Sequence, residues 1–270
     1  MSTLTDDTLV EALRPLTEDP GSAAVLCDVD GVLAPIVGRA ADARVSEATA
    51  LLLCRLARRY ACVACVSGRS AADARRLVGV GGIAYAGSHG AEMLDPGAAR
   101  PRVMPAFESW EERVRRFVGE RDTSDLRRLR IRIEDKGPIA ALHWRGAPDE
   151  EEAHSHLKEV AAQADAAGLS THWARKVLEI RPPLAIHKGL AIRELVEANG
   201  VRVALYAGDD TTDLDAFSAF DALLEEGALD EAVRVGVRSH EGPDAIVQRA
   251  DLVVDGVDGF ARVLDALAAA

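Results

Sequence analysis

The 270 residues, 28.7 kDa in mass, fit one large domain or two small ones. With 48% hydrophobic and 28% charged residues the chain can bury a sizeable core, which excludes global disorder. Lys and Arg total 32 against 44 Asp and Glu, a net charge of −12, which argues against nucleic acid or an anionic membrane as main partner. An anionic small molecule stays open, because a local group of cations overrides the net charge.

In chain order, the N-terminal stretch MSTLTDDTLVEALRPLTEDP is acidic and amphipathic. It lacks the basic start and apolar stretch of a secretory leader, and no apolar run reaches the ~20 residues of a membrane span. A soluble cytoplasmic protein is expected. AAVLCDVDG predicts a buried strand that ends in a polar loop. SEATALLLCRLARRY follows as a helix capped by Ser46. ACVACVSGRS is a second strand with a polar end, VRVALYAGDD a third, and ADLVVDG a fourth. Buried runs joined by helices imply an α/β fold, a parallel sheet with helices on both faces.

The middle differs. RIRIEDKGPIAALHWR alternates on both sides of Lys136-Gly137-Pro138 and predicts an antiparallel hairpin. DEEEAHSHLKEVAAQADAAGL reads as a charged helix and THWARKVLEIRPP as one more alternating strand. These residues, 102–182, are expected to form an inserted α+β unit between core segments 1–101 and 183–270.

Three strand ends carry the chemistry. In open α/β sheets, ligands bind beyond the carboxyl ends of the strands. Asp28 and Asp30 follow the first strand, Ser67 the second, and Asp209 and Asp210 the third, with Asp213 close behind. Asp28 and Asp30 stand two apart, so an extended backbone aims both to one side. Either alone reads as a turn cap; three acidic or polar ends together predict one crevice. Carboxylates so crowded repel one another, a divalent cation relieves the repulsion, and all-oxygen ligation suits Mg²⁺. Ser67-Gly68-Arg69 offers a hydroxyl and amides at a helix start, a phosphate-binding arrangement. Lys188, after a Pro-Pro break, is either a surface lysine or a point charge for a phosphoryl oxygen.

In this order DVDGVLAPI, SGR, the lysine of HKG, and GDDTTD resemble the four motifs of the haloacid dehalogenase phosphatase superfamily. YAGSHGAE, EDKGPIAALHWR, KVLEIRPPLAIHKG and YAGDDTTDLDAF resemble its trehalose-6-phosphate phosphatase family, from Ala24 to Phe217. The resemblance implies a Rossmannoid core with an inserted cap, and a Mg²⁺-dependent phosphatase acting on a sugar phosphate, trehalose 6-phosphate. It makes Asp28 the nucleophile that forms an aspartyl-phosphate, and Asp30 the acid and then base, its proton held by crowding with acidic neighbours. The metal falls to the Asp28 carboxylate, the Asp30 backbone carbonyl, Asp209 and Asp210, with Asp213 supporting. Ser67, Gly68, Arg69 and Lys188 would bind the phosphoryl group; His89 and Glu92, in GSHGAE, also match the family, and His89 would order the crevice or touch substrate rather than bind metal. In the cap, Glu134, Lys136, Arg145, Lys176 and Glu179 would hydrogen-bond the sugar, where cross-strand ion pairing is the plainer reading. Alternatives are another sugar phosphate, a pseudodisaccharide phosphate such as a validoxylamine phosphate, or a non-catalytic sensor. Val32 replaces the family's usual Thr, and His187 stands where an acidic or amide residue often precedes the lysine. Cap hinges are expected near Pro96-Gly97 and Pro182-Pro183, and a monomer is the expected state.

Other motifs lead away from chemistry. Cys62 and Cys65 form a CxxC inside a buried strand, which indicates packing rather than redox or zinc. Gly79-Val80-Gly81-Gly82-Ile83-Ala84 mimics a dinucleotide fingerprint but follows a helix instead of a strand. His154 and His156 are expected to be solvated on different helix faces.

Overall fold

The computed structural model describes residues 6–38, 42–122, 124–239 and 242–270. The chain divides into two compact units: Met1–Pro101 with His187–Ala270, and Arg102–Ile186.

In the first unit the strands are β1 (Ala23–Cys27), β2 (Cys62–Val66), β3 (Ala84–Gly87), β4 (Glu92–Leu94), β10 (Val203–Gly208), β11 (Glu231–Arg238) and β12 (Leu252–Asp255). They lie in the order β12-β11-β10-β1-β2-β3-β4, all parallel except β4, which runs against β3. β1 and β2 are buried along their whole length, which is why they read as continuous apolar runs. Helices α1 (Asp6–Glu18), α2 (Glu47–Leu56) and α10 (Gly256–Ala269) cover one face. Their Leu13, Leu16, Leu53, Leu56, Phe260 and Leu264 join Val25, Cys27 and Leu205 in one core. Ser46 caps α2 by accepting from Thr49 N–H at 3.1 Å, as its sequence predicts. Helix α3 (Ala71–Val78) packs on β3, while α7 (Lys188–Asn199) packs against β2 and α8 (Leu214–Glu225). A short α9 (Asp244–Arg249) lies against β11. β1 is the point where the order reverses, with β2 on one side and β10 on the other, the position beyond whose strand ends open α/β sheets bind ligands.

The second unit opens with β5 (Arg102–Val103), α4 (Glu108–Gly119) and α5 (Ser124–Arg128). Strands β6 (Arg132–Asp135), β7 (Ala140–His143), β8 (Ser170–Ala174) and β9 (Val177–Arg181) then form an antiparallel sheet in the order β6-β7-β9-β8. Helix α6 (Glu150–Ala166) crosses over between β7 and β8. Its Leu157, Val160 and Ala164 share a core with Phe117, Leu142, Leu178 and Ile180. Asp149 caps it, accepting from the N–H groups of Glu151 and Glu152.

Two expectations are corrected. THWARKVLEIRPP is not one strand but a hairpin, broken at Lys176, which turns at φ +63. The alternation continues across a turn that contains no glycine, so the break left no mark in the pattern. His154 is half-buried rather than free in solvent: its ring stacks on Trp144 at 5.5 Å and meets the edge of Trp173 at 5.1 Å. The cysteines are free; Cys27, Cys62 and Cys65 are buried, and burial pushes the Cys62 thiol up to about 12. Among the described residues no helix is long and apolar enough to cross a membrane.

Candidate active site

The β1–β10 register pairs Cys27 with Ala207, and Asp28 N–H continues the ladder by donating to Ala207 O at 2.9 Å. Asp28 and Asp209 therefore leave adjacent strands side by side. Lys188, the first residue of α7, is 1% exposed. Its Nζ stands 3.0 Å from Asp28 Oδ2 and donates to Asp213 Oδ1 at 2.6 Å. The surface-lysine reading is thus excluded. Carboxylate oxygens of Asp28, Asp209 and Asp213 lie within 4.8 Å of one another, and all three residues are buried. Gly31 makes room for this: at φ +86, a Cβ there would stand 2.0 Å from Asp209 Oδ2.

Asp213 is saturated by donors. Besides Lys188, it accepts from Tyr206 OH at 2.6 Å and from the N–H groups of Asp209 and Asp210 at 2.9 and 3.0 Å. Asp209 Oδ1, in contrast, is buried with no hydrogen-bond partner among the described residues. Burial pushes the Asp28 carboxyl up to about 7, with the Lys188 charge pulling the other way. Asp209 is pushed up to about 8 by burial and then by the charges of Asp28 and Asp213. Burial works against the Lys188 charge, yet Asp213 and Asp28 hold its proton above the ordinary lysine range. Fully ionised, three carboxylates against one ammonium leave two negative charges uncompensated, which one divalent cation neutralises; without it, Asp28 and Asp209 hold their protons more tightly than ordinary carboxyls. The orphaned Asp209 oxygen and the oxygen-only donor set fit such an ion.

Asp210 is not in this cluster. It is exposed and accepts from its neighbour's Thr211 N–H at 2.7 Å, capping the turn that leads into α8. The Asp30 carboxylate also lies apart, in a two-bond fork with Arg69 at 2.7 and 2.6 Å. Its close partner is a cation, not the acidic neighbours that the sequence suggested. Ser67 is buried, and its Oγ accepts from Arg69 N–H at 3.2 Å. The amides at the start of α3 are less open than expected: Ala71 N–H donates to Glu92 at 2.7 Å and Asp73 N–H to Ser70. His89 lies against this loop, since a Cβ on Gly68 would stand 2.7 Å from its ring. Ser88 and His89 are consecutive residues at φ +53 and +59, a conformation costing about 1–2 kcal/mol each without glycine. Val32 is fully buried in the core, so the position is filled by packing.

In the second unit, Glu134, Ala141, Glu179 and His172 stand in register across one sheet face. Lys136 Nζ donates to Glu179 at 3.3 Å and Arg181 Nε donates to it at 2.9 Å, while His143 Nε2 donates to Glu134 at 2.7 Å. Small Ala141 separates Glu134 from Glu179. Lys176 is elsewhere: it holds Glu150 at the start of α6 at 2.6 and 2.8 Å, and Arg145 acts electrostatically on the same Glu150. The five expected sugar contacts are therefore two groups, Glu134, Lys136 and Glu179 in one and Arg145 with Lys176 in the other.

Sequence reasoning missed Tyr206 and gave Asp213 too small a part. A tyrosine inside a fully buried strand needs a partner for its hydroxyl, and that signal sits two residues before Gly208.

The trehalose-phosphatase family matches residues 26–247. A trehalose-phosphate phosphatase of Mycolicibacterium paratuberculosis is 33% identical over 257 residues, 90% of this chain and 60% of that protein. The chain thus spans about three fifths of the length of the curated relative. Among solved structures, the C-terminal domain of a C. albicans trehalose-6-phosphate phosphatase superposes with a TM-score of 0.67 at 22% identity, covering 99% of this chain and 98% of that one. A haloacid dehalogenase-like hydrolase from Bacteroides thetaiotaomicron superposes with a TM-score of 0.57 at 14% identity, over 90% and 98%. These likenesses establish the haloacid dehalogenase-like fold.

Proposed function

The chain belongs to the trehalose-phosphatase family, and from that premise we propose that it is a Mg²⁺-dependent phosphatase converting trehalose 6-phosphate and water to trehalose and phosphate. The observation that carries the reading is the buried cluster of Asp28, Asp209, Asp213 and Lys188, with two surplus negative charges when ionised and one carboxylate oxygen unpartnered among the described residues.

Asp28 Oδ attacks phosphorus and displaces the sugar oxygen, which takes a proton from Asp30. Water then attacks the aspartyl-phosphate, Asp30 removes its proton, and the P–O bond to Asp28 breaks. For this the Asp30–Arg69 fork has to open, with Arg69 turning to the phosphoryl oxygens. Lys188 holds Asp28 in line and meets the transferring group with positive charge. Ser67 Oγ and Gly68 N–H supply neutral donors. Mg²⁺, held by the Asp28 and Asp209 carboxylates, would supply charge against the phosphoryl oxygens. Asp213 serves as the latch that fixes Lys188 and the Asp209 backbone. In the inserted unit, which is the cap in this reading, Glu134, Lys136 and Glu179 would recognise sugar hydroxyls.

The test is phosphate release from trehalose 6-phosphate with Mg²⁺, beside glucose, sucrose and pseudodisaccharide phosphates. Trehalose 6-phosphate should turn over fastest, and chelator or Asp28→Asn should reduce release to background. Full activity of Asp28→Asn would remove the nucleophile assignment, and faster turnover of another phosphate would move the substrate.

A further inference from the structure

The Ser67 loop is held from behind by a segment that the reaction itself does not use. Glu92, 4% exposed, sends Oε1 to Ala71 N–H at 2.7 Å and receives Ser88 Oγ–H at 3.3 Å. It occupies space that only glycine at position 87 leaves open, since a Cβ there would stand 2.6 Å from Glu92 Oε1 and 2.1 Å from Ala71 N. Ser88 N–H donates to Arg69 O at 2.7 Å and His89 N–H to Ser67 O at 3.0 Å. The two carbonyls that flank Gly68 are thus both tied to the left-handed pair Ser88-His89. The His89 ring lies beside Gly68 itself. A buried carboxylate, a hydroxyl and two strained backbone amides converge on residues 67–71.

We infer that Glu92 is a positioning residue for phosphate: through Ala71 and Ser88 it sets the Ser67–Arg69 loop in its phosphate-binding geometry. This rests on the phosphatase reading, because it assigns Ser67 and Gly68 to the phosphoryl group. The carboxylate acts through the loop and does not touch the reacting atoms. Placed at the start of α3, it also meets the positive end of that helix.

The experiment uses the full chain with Mg²⁺ and measures competitive inhibition by inorganic phosphate, with trehalose as a second inhibitor. Glu92→Ala should weaken inhibition by phosphate about tenfold, the order expected for a lost hydrogen bond to a charged group. Inhibition by trehalose should stay within about twofold. Glu92→Gln keeps an acceptor for Ala71 N–H and should restore most of the phosphate affinity. A role in stability alone would lower the melting temperature and leave both inhibition constants of the folded protein unchanged. That result, or an equal loss for phosphate and trehalose, would overturn the inference. If Glu92→Ala does not fold, Ser88→Ala gives the same reading with a smaller, selective loss for phosphate, and no such loss overturns the inference. A wild-type protein that phosphate does not inhibit at all would instead defeat the phosphatase reading on which the inference stands.

Discussion

The two units handle charge in opposite ways. In the first, Asp28, Asp209 and Asp213 surround one Lys188, all nearly withdrawn from solvent, and negative charge is in excess. In the second, Glu134 and Glu179 stand with Lys136 and Arg181 on one sheet face, and the charges balance. A buried excess is costly until a counter-ion arrives, so it selects for a cation. A balanced face has no such demand. Its donors and acceptors, with side chains 9–27% exposed, would under the proposed function meet a neutral molecule rich in hydroxyls. One chain thus carries a site that needs charge and a surface that needs hydrogen bonds.

The contrast breaks if Glu179 is dispensable. Glu179→Gln leaves Lys136 and Arg181 facing each other without their shared carboxylate. The second unit should lose roughly 3 kcal/mol, near the lower end for one partner removed from a buried pair, because both cations keep some access to water. Trp110, Trp144 and Trp173 are the chain's three tryptophans and all fall in this unit, so fluorescence during urea unfolding reads it directly. An unchanged midpoint would mean that the balance on this face carries no energy.

The same logic reverses sign at the first site. Asp209→Asn removes an ionisable carboxyl from a buried position whose oxygen has no partner among the described residues. Without metal the protein should gain about 1–2 kcal/mol near neutral pH, since the unfolded Asp209 is ionised and folding must either protonate it or bury its charge, a cost that a neutral group of similar shape avoids. Stabilisation by Mg²⁺, seen in the wild type as a rise in melting temperature with ion concentration, should then shrink or vanish. Destabilisation of the metal-free variant would show that Asp209 is held by contacts and not strained by charge.

How much of this was legible depended on distance along the chain. Asp28, Ser67 and Asp209 were readable because fully buried strands stand out as apolar runs, and each run ends in a short polar word. β11 was not, because Arg234 interrupts its apolar pattern while pairing with Asp221 and Asp251. Neither the burial of Lys188 nor the Asp30–Arg69 fork leaves a local trace: each joins residues far apart, and only the packed sheet brings them together. Asp213 looked like one more acid of a motif. Its four donors come from three elements, which no spacing rule encodes.

Glu134 gives the smallest effect and the finest test of the balanced face. The hydrogen bond from His143 holds the Glu134 carboxyl below the ordinary glutamate range, against a contribution from burial and with help from Lys136. A carboxyl with a lowered folded value binds fewer protons folded than unfolded, so its stabilisation is present above the unfolded value, near 4.3. It fades as pH falls through the lower folded value. Glu134 is partly exposed, so water screens the pair and the contribution is below about 1 kcal/mol. Wild type and Glu134→Gln should therefore differ in urea midpoint at pH 6 and converge as pH is lowered from about 4.5 to 3. A gap that persists at pH 3 would mean that Gln disturbs packing instead of removing charge. A gap that widens toward acid would mean that the His143 bond depends on a protonated Glu134, and the face would then not be balanced in the way its partners indicate.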